Sequence, residues 1–263
     1  MTTPAFLHDG SASGYLARHR CHDVPHLLKR WHRVARAARL SCEAIYQSGG
    51  HPVLFVHSPK SQGARLYFSA GVHGDEAAPV SGLLEWAESN IALLRRLPVA
   101  LFPLFNPSGL ALNTRADHRH IDLNRRFHDA SHPHVKAWWR AIGDMHFAAG
   151  VCLHEDYDAQ GIYCYELNSN PRLALANELL KSCELIIPRE VRGTIEGRRA
   201  RRGVIQRSRV PDLPGLPEAV ALYMHNTPVT LTFETPSEFS LAERVAAHRA
   251  FVEAVVQRFE AGL

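Results

Sequence analysis

The sequence predicts an α/β domain in which strands alternate with helices and helices cover both faces of a central sheet. Three observations carry this reading. Short apolar runs such as Arg65–Val72 (RLYFSAGV), Val99–Phe105 and Gly150–His154 (GVCLH) have the length and bounding of buried strands. Longer stretches lie between them with apolar residues at helical spacing, Pro79–Leu94 and 134–148. The side chains able to do chemistry fall where those strands end, the edge at which ligands collect in such sheets.

The elements follow in order. Residues 22–40 form a basic amphipathic segment with Leu27, Leu28, Trp31, Val34 and Leu40 at near-helical spacing. Two extended runs, Ser41–Gln47 and Pro52–His57, are separated by Ser48-Gly49-Gly50 and read as a hairpin. The strand Val99–Phe105 ends at Asn106-Pro107-Ser108-Gly109, a strong turn signal. Further on, Gly161–Leu167 reads as a strand and Arg172–Leu185 as a helix. Val229–Glu234 (VTLTFE) alternates like a strand, and Ser240–Glu260 is a long amphipathic helix. With no internal repeat, linker or low-complexity tract, residues 1–263 read as a single catalytic domain.

Composition narrows the function class. The chain is 46% hydrophobic, enough for a sizeable core, and its formal charge of +4 is too mild to imply nucleic acid or a membrane surface as partner. Met1–Gly10 lacks the basic patch and apolar run of a signal peptide. No stretch approaches the ~18 apolar residues of a membrane span. Five scattered cysteines without a CxxC suit reduced thiols, so a cytoplasmic protein is expected. Seventeen histidines make a metal search worthwhile.

Directly after RLYFSAGV comes His73-Gly74-Asp75-Glu76. His73 and Glu76, three apart on a loop entering a helix, can face one point, and Gly71 and Gly74 let the backbone bend there. Such a pair occurs often by chance. The third candidate changes its weight: His154 ends the strand VCLH at the same predicted sheet edge. Two imidazoles and a carboxylate are the donor set of a hydrolytic zinc site, which keeps one position open for water. The HExxH helix motif is absent, so the zinc architecture is a different one.

Asn113 through Phe127 is dense in polar side chains of fixed geometry. Arg115 and Arg125 suit carboxylates and developing oxyanions. If the stretch is extended, Asp122 and Asn124 share a face, while Leu123 and Phe127 point to apolar surroundings, so a held loop is expected rather than a solvated one. Glu234, leaving an apolar strand in Thr232-Phe233-Glu234-Thr235-Pro236, is placed to have its pKa raised by desolvation and to shuttle protons.

Taken in order, GVHGDE at 71–76, NPSG at 106–109, Arg115 nine residues before Asn124 in DLNRRF, LHED at 153–156 and TFETP at 232–236 resemble the zinc carboxypeptidase family, M14. The resemblance covers about residues 50–240 and extends to the branch containing aspartoacylase and succinylglutamate desuccinylase. It implies a three-layer α/β/α sandwich around a mixed, roughly eight-stranded sheet. It implies one Zn2+ per chain held by His73, Glu76 and His154, with Glu234 as the general base that takes a proton from water and returns it to the leaving amine. Arg115 resembles the arginine that stabilises the carbonyl oxyanion, and Asn124 and Arg125 the pair that clamps the substrate's terminal carboxylate. Asp122 resembles the carboxylate that orients the first histidine, a role that metal-site chemistry also predicts.

The chain departs from the pattern in places. No residue matches the mobile tyrosine of the digestive enzymes; Tyr223 is the nearest and lies inside an expected helix. The clamp reads NRR, with Arg126 in place of a neutral residue, and the chain from His73 to His154 is short, as in compact bacterial members that process murein peptides. Arginines at 189, 192, 198, 199, 201, 202, 207 and 209 form either a pocket rim favouring acidic substrates or a solvated loop. His118, His120, His128, His132 and His134 are expected at the surface, and Glu155 and Asp156 near the site, either supporting it electrostatically or orienting a ligand or the substrate amine. The expected activity is a carboxypeptidase-type cleavage next to a free carboxylate, on small peptides of murein or γ-glutamyl type. The alternatives are an N-acyl amino-acid amidohydrolase and a zinc-binding pseudo-enzyme acting as a binding module.

Overall fold

The computed structural model describes residues 20–59, 63–170, 174–210, 212, 214–225 and 227–262. The N-terminal segment read for a signal peptide lies outside the described residues. The strands are β1 (Ser41–Ser48), β2 (His51–His57), β3 (Arg65–Ala70), β4 (Val99–Phe102), β5 (Phe147–Asp156), β6 (Tyr163–Asn168), β7 (Thr194–Ile195), β8 (Arg198–Arg199), β9 (Val204–Arg207) and β10 (Val229–Pro236). Eight of them form one sheet in the order β1-β2-β4-β3-β5-β10-β6-β9, and β7 pairs only with β8. β4, β3, β5 and β10 are parallel neighbours, β1 and β2 run against the strands beside them, and β6 runs against β10 but parallel to β9. The sheet is mixed and eight-stranded, as expected.

Alternation along the central strands sorts side chains between two cores. Leu66, Phe68, Leu101, Val151, Leu153, Leu231 and Phe233 face one core, under α1 (Val24–Ala38), α2 (Ala77–Ser89) and α8 (Leu241–Glu260). Tyr67, Ala100, Phe102 and Cys152 face the other, under α5 (Pro133–Ile142) and α7 (Glu218–Met224). Period 2 puts successive side chains on opposite faces, so His154 and Glu234 share the face of Cys152. A Cβ on Gly82 of α2 would lie 2.6 Å from the Cβ of His248 on α8, so only glycine permits that helix crossing.

Local signals explain the ends of elements. Asp23 accepts from His26 N at the start of α1, and Ser240 with Glu243 closes a capping box on α8. Gly49 and Gly50, both at positive φ, make the two-residue turn of the β1–β2 hairpin. Asn106-Pro107-Ser108-Gly109 is more than a turn. Asn106 accepts from Gly109 N and caps α4 (Pro107–Leu112), because proline suits the first helical turn.

Several expected boundaries shift. The long helix over Pro79–Leu94 breaks into α2 and a single turn, α3 (Ile91–Leu94), and that over 134–148 stops at Ile142, since Gly143 turns the chain and Phe147 already pairs in β5. Arg172–Leu185 shrinks to α6 (Ala176–Leu179) and one 3-10 turn, whose start is held by Glu166 accepting from Leu175 N and Ala176 N. The arginine-rich stretch is not a plain loop: it holds the β7–β8 hairpin and the edge strand β9. His134 is fully buried and His132 is 7% exposed, against the surface position expected for both. His134 lies flat between Phe105 and Tyr46, where its ring packs as an aromatic. No helix among the described residues is long and apolar enough to cross a membrane.

Candidate active site

The loop after β3 is drawn tight by its neighbours. Phe105 N and Asn106 N donate to Ala70 O and Gly71 O, which ties the ends of β3 and β4 together. Gly71 has φ +68°, and a Cβ on Gly74 would sit 1.9 Å from the carbonyl carbon of Gly109. The loop after β3 therefore crosses the start of α4 backbone against backbone. This crossing turns His73 and Glu76 inward just before α2, and both are almost completely buried.

His154, at the end of β5, completes the cluster. Glu76 Oε1 lies 2.5 Å from His73 Nδ1, and Glu76 Oε2 lies 3.0 Å from His154 Nδ1. The donor atoms of the three residues all lie within 4.8 Å of one another, and all three are buried. Burial disfavours charge on Glu76, yet the two imidazoles outweigh it and hold its carboxyl well below the usual range. Burial likewise opposes a charged His73, but Glu76 and Asp122 carry its pKa up to about 9. An ionised carboxylate and two imidazoles in a dry pocket ask for a cation, and protons take that part when no metal does. Two nitrogen donors and one oxygen donor fit zinc with an open fourth position.

Asp122 Oδ1 stands 3.4 Å from His73 Nε2, on the side of the ring away from Glu76. Its other oxygen accepts from Arg115 Nε at 3.1 Å, and Arg115 Nη1 is 4.0 Å from Glu76. Arg115 thus points towards the His73–Glu76–His154 cluster while 45% of its side chain remains exposed to the cleft. The stretch around Asn124 is not extended. Leu123–Arg125 is a 3-10 turn capped by Asp122, so Asp122 and Asn124 reach the site through a turn rather than along one strand face. Leu123 and Phe127 are fully buried, as expected of a held loop.

Asn124 accepts from Glu218 N at 2.9 Å through Oδ1, which leaves its NH2 group as the free end. Glu234 stands in β10 directly between His154 of β5 and Tyr163 of β6. Burial raises its pKa well above the carboxylate range, against the pull of His154. His73, Glu76, His154, Arg115, Asn124, Arg125 and Glu234 all line one cavity of about 450 Å3. Asp122 supports it from behind. The structure brings every sequence-predicted site residue to this one place.

Some contributors escaped the sequence reading. Tyr163 donates to Asp156 at 2.8 Å, and Tyr165 donates to Glu196. Arg244 of α8 donates to Glu155, which the sequence places near the site and which also accepts from Ala78 N at the start of α2, so the pair braces the helix that follows Glu76. Tyr67 donates to Glu218 beneath Asn124. Only the alternation of TYR-x-TYR in β6 hinted at any of these. Tyr223 bonds Ser208 O outside the cavity.

A mixed eight-stranded sheet carrying a buried His-Glu-His cluster at the carboxyl edge of its parallel strands defines a carboxypeptidase-like fold. Comparison with known proteins agrees. Residues 62–141 match the succinylglutamate desuccinylase/aspartoacylase catalytic domain. Murein peptide amidase A of Vibrio campbellii is 33% identical over 102 residues, 36% of this chain and 38% of that protein, so the match spans well under half of the relative. A Shewanella amazonensis structure named as a metallopeptidase superposes with TM-score 0.81 at 21% identity, over 90% of this chain and 94% of that one. A metallo-carboxypeptidase from Burkholderia cenocepacia superposes with TM-score 0.65 at 14% identity, over 89% and 68%. The fold and the family resemblance read from the motifs stand.

Proposed function

We propose that this protein is a zinc-dependent hydrolase of carboxypeptidase type that cleaves an amide bond next to a free carboxylate, on small peptides of murein or γ-glutamyl type. The observation that carries this reading is the meeting of Glu234 with the His73–Glu76–His154 cluster and the Asn124–Arg125 pair in one cavity. His73, Glu76 and His154 hold the zinc, which when bound polarises the carbonyl and makes water acidic enough to attack near neutral pH. Glu234, beside His154 in the same cavity, accepts the proton of the attacking water and delivers it to the departing nitrogen. Arg115 donates to the oxygen on which charge develops, and Asp122 keeps both Arg115 and His73 in place. The free NH2 of Asn124 and the guanidinium of Arg125 grip the terminal carboxylate. Five free cysteines, four of them buried, support a reducing compartment such as the cytoplasm.

A second reading, an N-acyl amino-acid amidohydrolase, is favoured by the family match over residues 62–141. Metal-reconstituted protein offered murein tripeptides, peptides with free C-termini and N-acyl amino acids separates the two. Elemental analysis is expected to give one zinc per chain, lost in His73→Ala. Glu234→Gln should keep the metal and lose about 10²–10⁴-fold in turnover. Full turnover in that variant would refute the assigned base, and zinc binding with no turnover of any substrate would leave a binding module.

A further inference from the structure

The cavity has more positive charge than the proposed reaction uses. Its carboxylates are mostly engaged: Glu76 by the two histidines, Glu155 by Arg244, Asp156 by Tyr163 and Glu196 by Tyr165. Arg115 is engaged by Asp122. Three other arginines line the cavity, Arg125, Arg198 and Arg207, and none of them has a carboxylate within ion-pair distance among the described residues. The clamp for a terminal carboxylate accounts for Arg125. Arg198 and Arg207 remain without an ion-pair partner among the described residues, although Glu196, Asp158 and Glu166 line the same cavity.

Their position relative to the clamp says what they face. Asn124 is bonded to the first residue of α7, and Ala219 and Val220 of that helix roof the cavity beside it. A residue whose carboxylate sits on Asn124 and Arg125 therefore runs its side chain under α7, over the floor made by Thr232 and Thr230 of β10. Tyr165 lies across from Thr232, and Leu167 from Thr230. Beyond them Ile205 is level with Tyr165 and Arg207 with Leu167. Arg207 thus closes the end of this path, four residues back from Glu234 and two strands over. At ~3.3 Å per residue and ~4.8 Å per strand, its Cα is roughly 16 Å from that of Glu234, a gap that the arginine side chain itself shortens. Arg198 comes from the β7–β8 hairpin, whose turn holds Glu196 at φ +46° and Gly197 at φ +71°. The bond from Tyr165 to Glu196 ties that turn down onto β6, which keeps Arg198 over the same path.

We propose that Arg198 and Arg207 form a second anion subsite, so that the residue released has an acidic side chain of glutamate length or longer. This rests on the carboxypeptidase reading, because the path is defined from the carboxylate clamp. It gives the arginine-rich stretch two different jobs. Arg189 and Arg192 are structural, bonded to Glu184 and Asn177 and to Glu190 and Asp158 O, while Arg198 and Arg207 select substrate.

The test compares zinc-reconstituted protein on benzoyl-glycyl dipeptides ending in glutamine, lysine, glutamate, 2-aminoadipate or 2-aminopimelate. The acidic residues should exceed glutamine about 10- to 100-fold in kcat/KM, the range of a charge-assisted bond in a partly dry site. The ratio should fall towards one in Arg198→Gln with Arg207→Gln. Arg207→Glu should raise lysine over glutamate, a gain that a folding defect cannot imitate. Binding of the same dipeptides to zinc-loaded Glu234→Gln, followed by calorimetry, should show the same order. Hydrolysis with no preference between glutamate and glutamine would overturn the subsite and leave the reaction standing. Charge-selective binding lost with the arginines, but no hydrolysis, would keep the subsite and overturn the reaction. Equal binding of glutamate and glutamine dipeptides would overturn the subsite whatever the activity.

Discussion

His134 supplies the prediction whose size the structure sets most directly. The ring is fully buried, stacked on Phe105 with centroids 4.8 Å apart and on Tyr46 at 4.9 Å, and neither ring nitrogen has a hydrogen-bond partner. Burial pushes its pKa down to about 3 from an ordinary 6.5, with His132 pushing the same way. A histidine whose folded pKa is depressed stabilises the fold above its unfolded pKa, and that stability is lost as pH falls from 6.5 towards 3. At pH 5 the chain unfolds with a gain of about 1.5 pK units of protonation, or about 2 kcal/mol at 1.36 kcal/mol per unit. His134→Phe keeps the aromatic stack and removes the titration. Its packing change, of either sign, is the same at both pH values. Urea unfolding of both proteins at pH 7.5 and pH 5.0 should therefore show the variant gaining about 2 kcal/mol on the wild type between the two conditions. A difference that does not move with pH, at equal m-values, would refute a neutral buried His134.

Three further outcomes follow from the site. Gly74→Ala should abolish zinc binding and lower the thermal midpoint together, since its Cβ would meet the Gly109 backbone at 1.9 Å and neither segment can retreat without moving His73 or Asn106. Arg115→Met should cost about 10²–10³-fold in kcat with metal content and KM little changed, as expected of a donor that acts on developing charge. In Arg244→Met, Glu155 keeps its bond from Ala78 N but loses its cation. Glu155 is already raised to about 7 by burial, so its contribution is lost as pH rises through that value. Chemical unfolding should show a loss of about 3 kcal/mol near pH 8 that shrinks near pH 5.

Short-range patterns made much of this molecule legible from its residues alone. The apolar runs at 65–72, 99–105, 150–154 and 229–234 became four adjacent parallel strands because nothing but a sheet covered on both faces hides such segments. Their ends delivered His73, His154 and Glu234 to one edge. The stretch after Arg172 misled, because its apolar spacing fits a helix while Glu166 and the packing under α8 allow only one turn.

What the sequence by itself determined was the central strands, their polar ends and hence the candidate cluster of His73, Glu76 and His154, since period and turn chemistry are written within a few neighbouring residues. Tertiary structure alone decided what lies beyond that range. The backbone crossing at Gly74 and Gly109, the seating of Asn124 by Glu218, the brace from Arg244 to Glu155 and the convergence of Arg198 and Arg207 on one cavity all join segments far apart in the chain. Such contacts depend on sheet order and helix packing, and no local periodicity encodes either.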